Sequence, residues 1–495
     1  MASKLKDKMA KGAAAVAAVG AVASIVMVGG SANADPQQLT NSFYGYGSDT
    51  TQDVTNALAG FSNGIDFTPV KTTGINAATG DPFSTQLVSW DAFATTCITP
   101  KTGAPQILRP NGSGNGQRIL ASANVTGARW PLNGNGSTCG PSVGTSGFVD
   151  FSRSSSGPSS NVPTGPMQFL PFARDALSFA YVKPSGTAPV TALTRTQLIA
   201  LHDTGPQVIN DPDGPGGLPG TPVIACAIQD GSGTYQTWMT QLGLTNGTNS
   251  TALGDAVGTT LCNSVTSAGF VDTSATNGFR TQENNSPEFL RKAALLPSMS
   301  HPNCDGDTGT TAPVPCTDAQ LIIGYSASQF IARYNESVGK PDSRLDTIII
   351  NSVPVPANGG LGAIDALGYP IRVTADPNGT PGITGVDPAP NTPAPVGLTG
   401  DESLAPDASY YAAAQHGRDV YFIVPFAKIS GFLASANLIN MFVSTPDNPA
   451  TAAVNEFVPS RICSQVATIQ QHGFLSLGNN CMVALDSLRA NYPTS

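Results

Sequence analysis

Charge is scarce in this sequence. Only 12% of its 495 residues are charged, 24 of them basic and 33 acidic. That acidic balance argues against nucleic acid or an anionic membrane as the main partner, because both are held by clusters of Lys and Arg. Histidine is scarcer still. His202, His301, His416 and His472 are scattered without an HExxH or other ligand spacing, which argues against a zinc-protease site. No CxxC, no GxxxxGK[ST] loop and no dinucleotide fingerprint occurs, so zinc-ribbon, nucleotide-hydrolysing and Rossmann readings lose their support. No cofactor is expected. No repeat of 20 to 50 residues is visible either, which disfavours a solenoid or propeller. Asp305-Gly306-Asp307 and Asp211-Pro212-Asp213-Gly214 lack the rest of an EF-hand loop and read as turn formers.

What the chain has in quantity is glycine, 53 residues, and proline, 40 residues, with 40% hydrophobic content. This describes a globular protein with long, turn-rich connections and enough length for two or three domains. The first 34 residues carry Lys4, Lys6, Lys8 and Lys11, an apolar stretch from Gly12 to Val28, and then Ala32-Asn33-Ala34. This reads as a signal peptide cleaved after Ala34. With no Cys beside that site to accept a lipid, a secreted protein is expected. Its loss removes four Lys and one Asp and moves the net charge from −9 to −12. Any anion site must then rest on local geometry.

Export also decides how the eight cysteines are read, namely Cys97, Cys139, Cys226, Cys262, Cys304, Cys316, Cys463 and Cys481. An even number in an oxidising compartment points to disulfides. Connectivity stays open, although pairing sequential neighbours closes the shortest loops.

The most informative stretch is Asp230-Gly231-Ser232-Gly233-Thr234-Tyr235-Gln236-Thr237-Trp238. It comes after the apolar run Pro222 to Ile228 and opens a helical pattern. Gly231 and Gly233 let backbone approach a ligand, Ser232 and Thr234 offer a cap and outward hydroxyls, and the helix N-terminus favours an anion. The pattern recurs. Gly45-Tyr46-Gly47-Ser48-Asp49-Thr50-Thr51 comes after Ser42-Phe43-Tyr44 and opens a helix through Val54, Leu58 and Phe61. Asn111-Gly112-Ser113-Gly114-Asn115-Gly116 comes after Ile107-Leu108 and opens another through Ile119, Leu120 and Ala123. Three such units suggest helix N-termini converging on one ligand.

Elsewhere, Phe148 to Phe151 reads as a strand leading to a loop that holds Arg153 and Ser154, on the side of an α/β sheet where ligands bind. Phe169 to Val182 reads as a buried strand crossing between lobes. Leu193 to Leu201 has helical spacing. Thr317-Asp318 reads as the cap of a helix running through Leu321, Ile322, Tyr325, Phe330, Ile331 and Tyr334. Leu345 to Ile350 and Asp419 to Val424 are strand-like. The Pro- and Gly-rich stretch near 355–410 reads as a surface excursion, and Ile462 to Leu488 as a helix with a bridged turn. Gly60-Phe61-Ser62-Asn63-Gly64 matches the GxSxG of serine hydrolases. That elbow needs a strand before the Ser and a helix after it, whereas Gly60 reads as a helix C-cap.

Taken together, Gly47-Ser48-Asp49-Thr50-Thr51-Gln52-Asp53-Val54, Arg109-Pro110-Asn111-Gly112-Ser113-Gly114, Phe151-Ser152-Arg153-Ser154-Ser155 and Gly231-Ser232-Gly233-Thr234 resemble a known family. They are similar to secreted actinobacterial substrate-binding proteins related to the phosphate-binding proteins of ABC transporters. Gly417-Arg418-Asp419-Val420-Tyr421 and Gln471-His472-Gly473-Phe474 extend the resemblance. It implies an α/β, two-lobed periplasmic-binding-protein-like fold of type II, each lobe a mixed sheet flanked by helices. Lobe 1 would take residues 35–182 plus 320–495, and lobe 2 residues 183–319. It also implies a non-enzymatic monomer that encloses a small oxyanion, phosphate above all, and an ABC transporter permease as partner. The ligand residues would be Ser48, Asp49, Thr50, Ser113, Gly114, Arg153, Ser154, Asp230, Ser232, Gly233 and Thr234. Two departures stand out. Ile228 occupies the position of the family's usual Arg, and Ser155 or a neighbour that of its carboxylate. Arg153 is the expected substitute cation, and Asp150 or Asp49 the substitute acceptor. The alternatives are a secreted hydrolase and a ligand-free cell-wall or adhesive scaffold on the same fold.

Overall fold

The computed structural model describes residues 42–182 apart from 63–64, 76–81, 93–94 and 132–138, and much of 193–244. It also describes most of 314–337, 404–446 and 457–493, with short pieces elsewhere. The signal-peptide reading, Asp230, Cys262 and most of the Pro- and Gly-rich excursion lie outside the described residues.

Nine strands make the path of the main sheet. They are β1 (Ser42–Gly47), β2 (Lys71–Ile75), β3 (Pro82–Ser89), β4 (Phe151–Ser154), β5 (Met167–Val182), β6 (Gln207–Ile209), β7 (Thr221–Cys226), β8 (Gln320–Ser326) and β9 (Gly417–Pro425). They lie in the order β6-β7-β8-β5-β9-β4-β1-β3-β2. β1 is parallel to β3 and β4, β7 is parallel to β8, and β9 and β8 both run antiparallel to β5. The architecture is thus mixed α/β.

Sixteen-residue β5 joins two half-sheets. Its first part, Met167 to Ala176, pairs with β9, and its second part, Leu177 to Val182, pairs with β8. The apolar run read as a crossing strand therefore does cross, and the chain changes partners beside Asp175 and Ala176. The reason is strand geometry, since a run this long outreaches the neighbour on either side.

The helices that pack on these strands or lead from them toward the site include α1 (Gln52–Ala59), α2 (Gly112–Asn124), α3 (Arg195–Asp203), α4 (Gly233–Leu242) and α5 (Ala327–Ser337). In the first half-sheet, alternate strand residues face opposite layers, as a period of two requires. Phe43, Leu87, Phe151, Leu170 and Phe422 pack with Val54 and Leu58 of α1. Tyr44, Val88, Phe169, Tyr421 and Ile423 pack with Ile119 and Leu120 of α2. The second half-sheet has its own core, which includes Ile224, Ile322 and Phe179 together with Trp238, Met239 and Leu201.

Two expectations are corrected here. Residues 320–326, expected in a helix, form β8, and every one of them is buried. A short apolar run flanked by a helix carries no periodicity that separates the two states, and pairing with β7 and β5 decides it. The same pairing places β8 between β7 and the second part of β5. Phe61, expected on α1, lies past the left-handed Gly60 that ends this helix and is 41% exposed. Gly60 thus closes a helix before Ser62, the reverse of the order a nucleophile elbow needs.

Among the described residues three disulfides join sequential neighbours, Cys97–Cys139, Cys304–Cys316 and Cys463–Cys481. Cys226 is also disulfide-bonded. Among the described residues no helix is long and apolar enough to cross a membrane.

One histidine, His202 on α3, is buried against the second core. It accepts a hydrogen bond at Nε2 from Trp238 Nε1, 3.1 Å away. Indole is a donor only, so the ring is neutral and its Nδ1–H donates to Leu198 O at 2.8 Å. Burial holds the imidazole down, to a pKa of about 4, against the weaker opposing effect of the Leu198 carbonyl. A folded pKa below the unfolded one means that the unfolded chain takes the proton first. The stability this neutral ring provides is therefore complete above about pH 6.5 and is lost as pH falls toward 4. Between pH 7 and pH 5 this group should cost about 2 kcal/mol of stability. Urea unfolding at the two pH values measures the loss, and in His202→Gln the difference between them should shrink by that amount.

Candidate functional site

The carboxyl ends of β1, β4, β7 and β8 all point toward the middle of β5, from opposite half-sheets. In open α/β sheets, ligands collect at such ends. β1 runs into Ser48-Asp49-Thr50 and α1, β4 into Ser155, and β7 through Ile228 into Ser232 and α4. The loop 109–111 leads into α2.

Local contacts lock these loops together. Gly47 has φ of +127° and a Cβ there would stand 2.5 Å from Arg153 O; only glycine fits. Ser48 N then donates to Arg153 O at 3.1 Å, and Gly47 bridges Asn111, which brings the α1 and α2 loops side by side. The α4 loop meets them from the other half-sheet. A Cβ on Gly233 would lie 2.4 Å from Ser155 Oγ and 2.9 Å from Ser113 Oγ. Ser155 N donates to Ser113 Oγ at 3.1 Å, and the Ser113 and Ser155 hydroxyls are 3.3 Å apart. Thr50 Oγ1 and Thr234 Oγ1 share a 2.8 Å hydrogen bond across the half-sheets.

The three loops expected to converge therefore do so. Ser48, Asp49, Thr50, Ser113, Ser232 and Thr234 are each at most 3% exposed. Ser232 Oγ accepts from Thr234 N and Tyr235 N, so its hydroxyl caps α4. Thr51 and Asn111 place no side-chain cap on α1 or α2.

A cation stands at this junction, and it is Arg418, at the start of β9. Its Nη2 donates to Thr234 Oγ1 at 2.6 Å and lies 3.5 Å from Thr50 Oγ1. Nη2 and Nε both reach Asp175 Oδ2, at 2.7 and 3.0 Å. Asp175, fully buried, also accepts from Ser326 Oγ and Ser328 N. Among the described residues Nη1 of Arg418 is buried with no hydrogen-bond partner. Gln329 on α5 donates to the carbonyls of Asp49 and Thr50 at 3.0 and 2.8 Å and pins the first loop from the second half-sheet.

Arg153 goes elsewhere. It was expected in a loop after its strand, but it lies within β4, opposite Gly47 and Phe422. It is fully buried and donates to Ser89 Oγ and to Trp90 O. Burial lowers its pKa to about 10, while Asp91, Asp49 and Asp53 oppose the fall. The Asp49 carboxylate is thus near enough to act on this cation. Asp150 precedes β4, at the end opposite Ser155, where Tyr44 N donates to it at 3.0 Å and burial raises its pKa. Ser154 Oγ turns into its own loop, donating to Ser156 O. Gly114 lines a cavity beside Ser113. Ile228 is 2% exposed and belongs to the second core, so an apolar side chain suits that position.

Sequence reasoning missed Arg418 and Asp175 as members of the site. One signal was available, for Asp175 interrupts a long apolar run and Arg418 heads another. Buried charges of this kind are paired. They pair across the strands, Arg418 opposite Asp175 on the buried face and Asp419 opposite Arg174 on the more exposed one.

The arrangement offers donors fixed in space, a guanidinium held by a carboxylate, hydroxyls and helix N-termini. Such a set holds an oxyanion without a full counter-charge. Among the described residues no group of three or more His, Cys, Asp or Glu could hold a metal ion. Gly233 is what keeps the loops in contact, so Gly233→Ala is expected to push Ser155 away from Ser113. For a ligand held among these donors the expected result is affinity weakened about tenfold, equivalent to ~1.4 kcal/mol, with the melting temperature little changed. Calorimetry beside thermal unfolding checks both.

No family model matches the sequence, and no curated protein matches it. Among solved structures, the chain is similar to a phosphate-binding protein from Stenotrophomonas maltophilia, with 13% identity and a TM-score of 0.34 over 88% of this chain and 91% of that one. It is also similar to a possible phosphate-binding protein from Planctomyces limnophilus, with 11% identity and a TM-score of 0.27 over 79% and 84%. A third similarity is to an ABC-type phosphate transport receptor from Vibrio cholerae, with 11% identity and a TM-score of 0.26 over 66% and 86%.

Proposed function

We propose that this chain is a secreted, non-enzymatic binding protein that captures a small oxyanion, phosphate first among the candidates. In this reading two lobes, built on the two half-sheets, close on the anion about β5 and open to release it. An ABC transporter permease is the proposed membrane partner. The supporting observation is Arg418. Its side chain is almost wholly buried, oriented by Asp175, and set between the Thr50 and Thr234 hydroxyls with Nη1 unpartnered among the described residues.

A buried guanidinium with a donor to spare is expensive unless something accepts from it. An oxyanion at this junction would take that donor together with hydroxyls that now bond to each other across the halves. Binding would thus replace a hydroxyl pair by charge-assisted bonds, which are the stronger kind. The exchange also links capture to closure, because Thr50 and Thr234 belong to different half-sheets.

Isothermal titration calorimetry on the purified protein, stripped of ligand by partial unfolding and refolding, tests this. Phosphate is expected to bind saturably, with sulfate as the comparison. A correctly folded protein that gives no heat with either anion would reject oxyanion capture.

A further inference from the structure

A cavity of about 440 Å³ adjoins the oxyanion site and shares Ser113 with it. α2 contributes Gln117 and Arg118 to its wall, the loop after β4 contributes Ser156, and α4 contributes Gln236 and Thr237. The wall begins at the helix N-termini that face the anion and continues outward between α2 and α4. Its size is that of a small-molecule site, and among the described residues it is lined by hydroxyl, carboxamide and glycine residues with Arg118 and one proline. Among the described residues no aromatic ring lines it. A nucleobase has no ring there to stack on, and an acyl chain meets no large aliphatic side chain among the described residues.

The polar groups are mostly neutral, and they both donate and accept. Hydroxyls and carboxamides of this kind match alcohol groups, which also do both. A second phosphoryl group accepts only and would leave the carboxamide oxygens without donors. Arg118, the single charged residue on the wall among the described residues, is exposed, and its Nη1 donates to Asn115 Oδ1 at 3.2 Å.

We infer that the protein's preferred ligand is a phosphate monoester with a small, hydroxyl-rich body, the phosphoryl group at Arg418, Thr50, Ser113 and Thr234 and the body in this cavity. The inference rests on the oxyanion reading above and extends it to a class of ligand. It also gives a reason for the neutral wall. Each alcohol bonded there adds discrimination against a bare anion, since polar wall groups must otherwise be solvated by water.

The experiment compares inorganic phosphate, glucose 6-phosphate and glucose by calorimetry on the whole protein and on Gln117→Ala/Gln236→Ala. The ester should bind at least tenfold more tightly than phosphate, and glucose alone should bind weakly. The double variant should lose most of that margin while its affinity for inorganic phosphate stays within about twofold, as one or two lost hydrogen bonds predict. Phosphate binding as tight as the ester's, or wall substitutions that weaken both alike, would overturn the ester inference and leave oxyanion capture standing. Failure of both anions to bind a folded protein would remove both.

Discussion

Asp175→Ala is expected to lower the free energy of unfolding by about 3–5 kcal/mol, the range for breaking a buried ion pair from one side. The carboxylate is fully buried and accepts from Arg418 Nε and Nη2, Ser326 Oγ and Ser328 N. Alanine would leave the guanidinium without its counter-ion, inside protein and beside the place where β5 changes partners. The loss is greater than for an exposed pair such as Arg174–Asp419, whose side chains are 25% and 32% exposed and where water does much of the work. Urea unfolding of the two proteins measures it. A loss below about 1 kcal/mol, the size seen for surface pairs, would show that Arg418 finds another partner and that the pair is not structural.

Arg418→Met separates binding from folding. The single variant is expected to bind phosphate about ten- to a hundredfold more weakly, since hydrogen bonds to charged groups contribute about 1.5–3 kcal/mol. It should also unfold more easily, because Asp175 is left as an unpaired buried charge. Combining it with Asp175→Asn removes both charges, and stability should largely return, as it does when a buried pair is replaced by neutral groups. Affinity should not return. A double variant that is stable and still binds phosphate at full strength would remove Arg418 from the site. The cation would then have to be sought elsewhere, with Arg153 beside Asp49 as the next candidate.

The two arginines show where sequence reading stops. Both lie on strands near the converging loops, and nothing in their local patterns ranks one above the other. Arg153 lies inside β4 because Phe151 to Ser154 is the stretch that pairs with β1 and β9, three residues later than the apolar pattern indicates. Its charge is then spent on Ser89 and Trp90. Arg418 reaches the cleft because the start of β9 pairs with the middle of β5, about 240 residues away in sequence. Register across such a distance is set by which faces can be buried together, and a shift of one residue would send each side chain to the other face.

Local features were legible without any coordinates. Apolar stretches that lead into Gly-Ser loops and open helices through Val54, Ile119 and Trp238 are written in short spacings, and the three helices form, with glycine where backbones touch and Ser232 as a cap. The buried strand at 169–182 could be read because its apolar run outlasts any turn signal. Long-range pairing settled three further things: that residues 320–326 are a strand, that the three loops meet at one point, and that Asp175 and Arg418 complete them. Each depends on partners far along the chain, and burial against those partners, rather than propensity, is what selects among locally equivalent states.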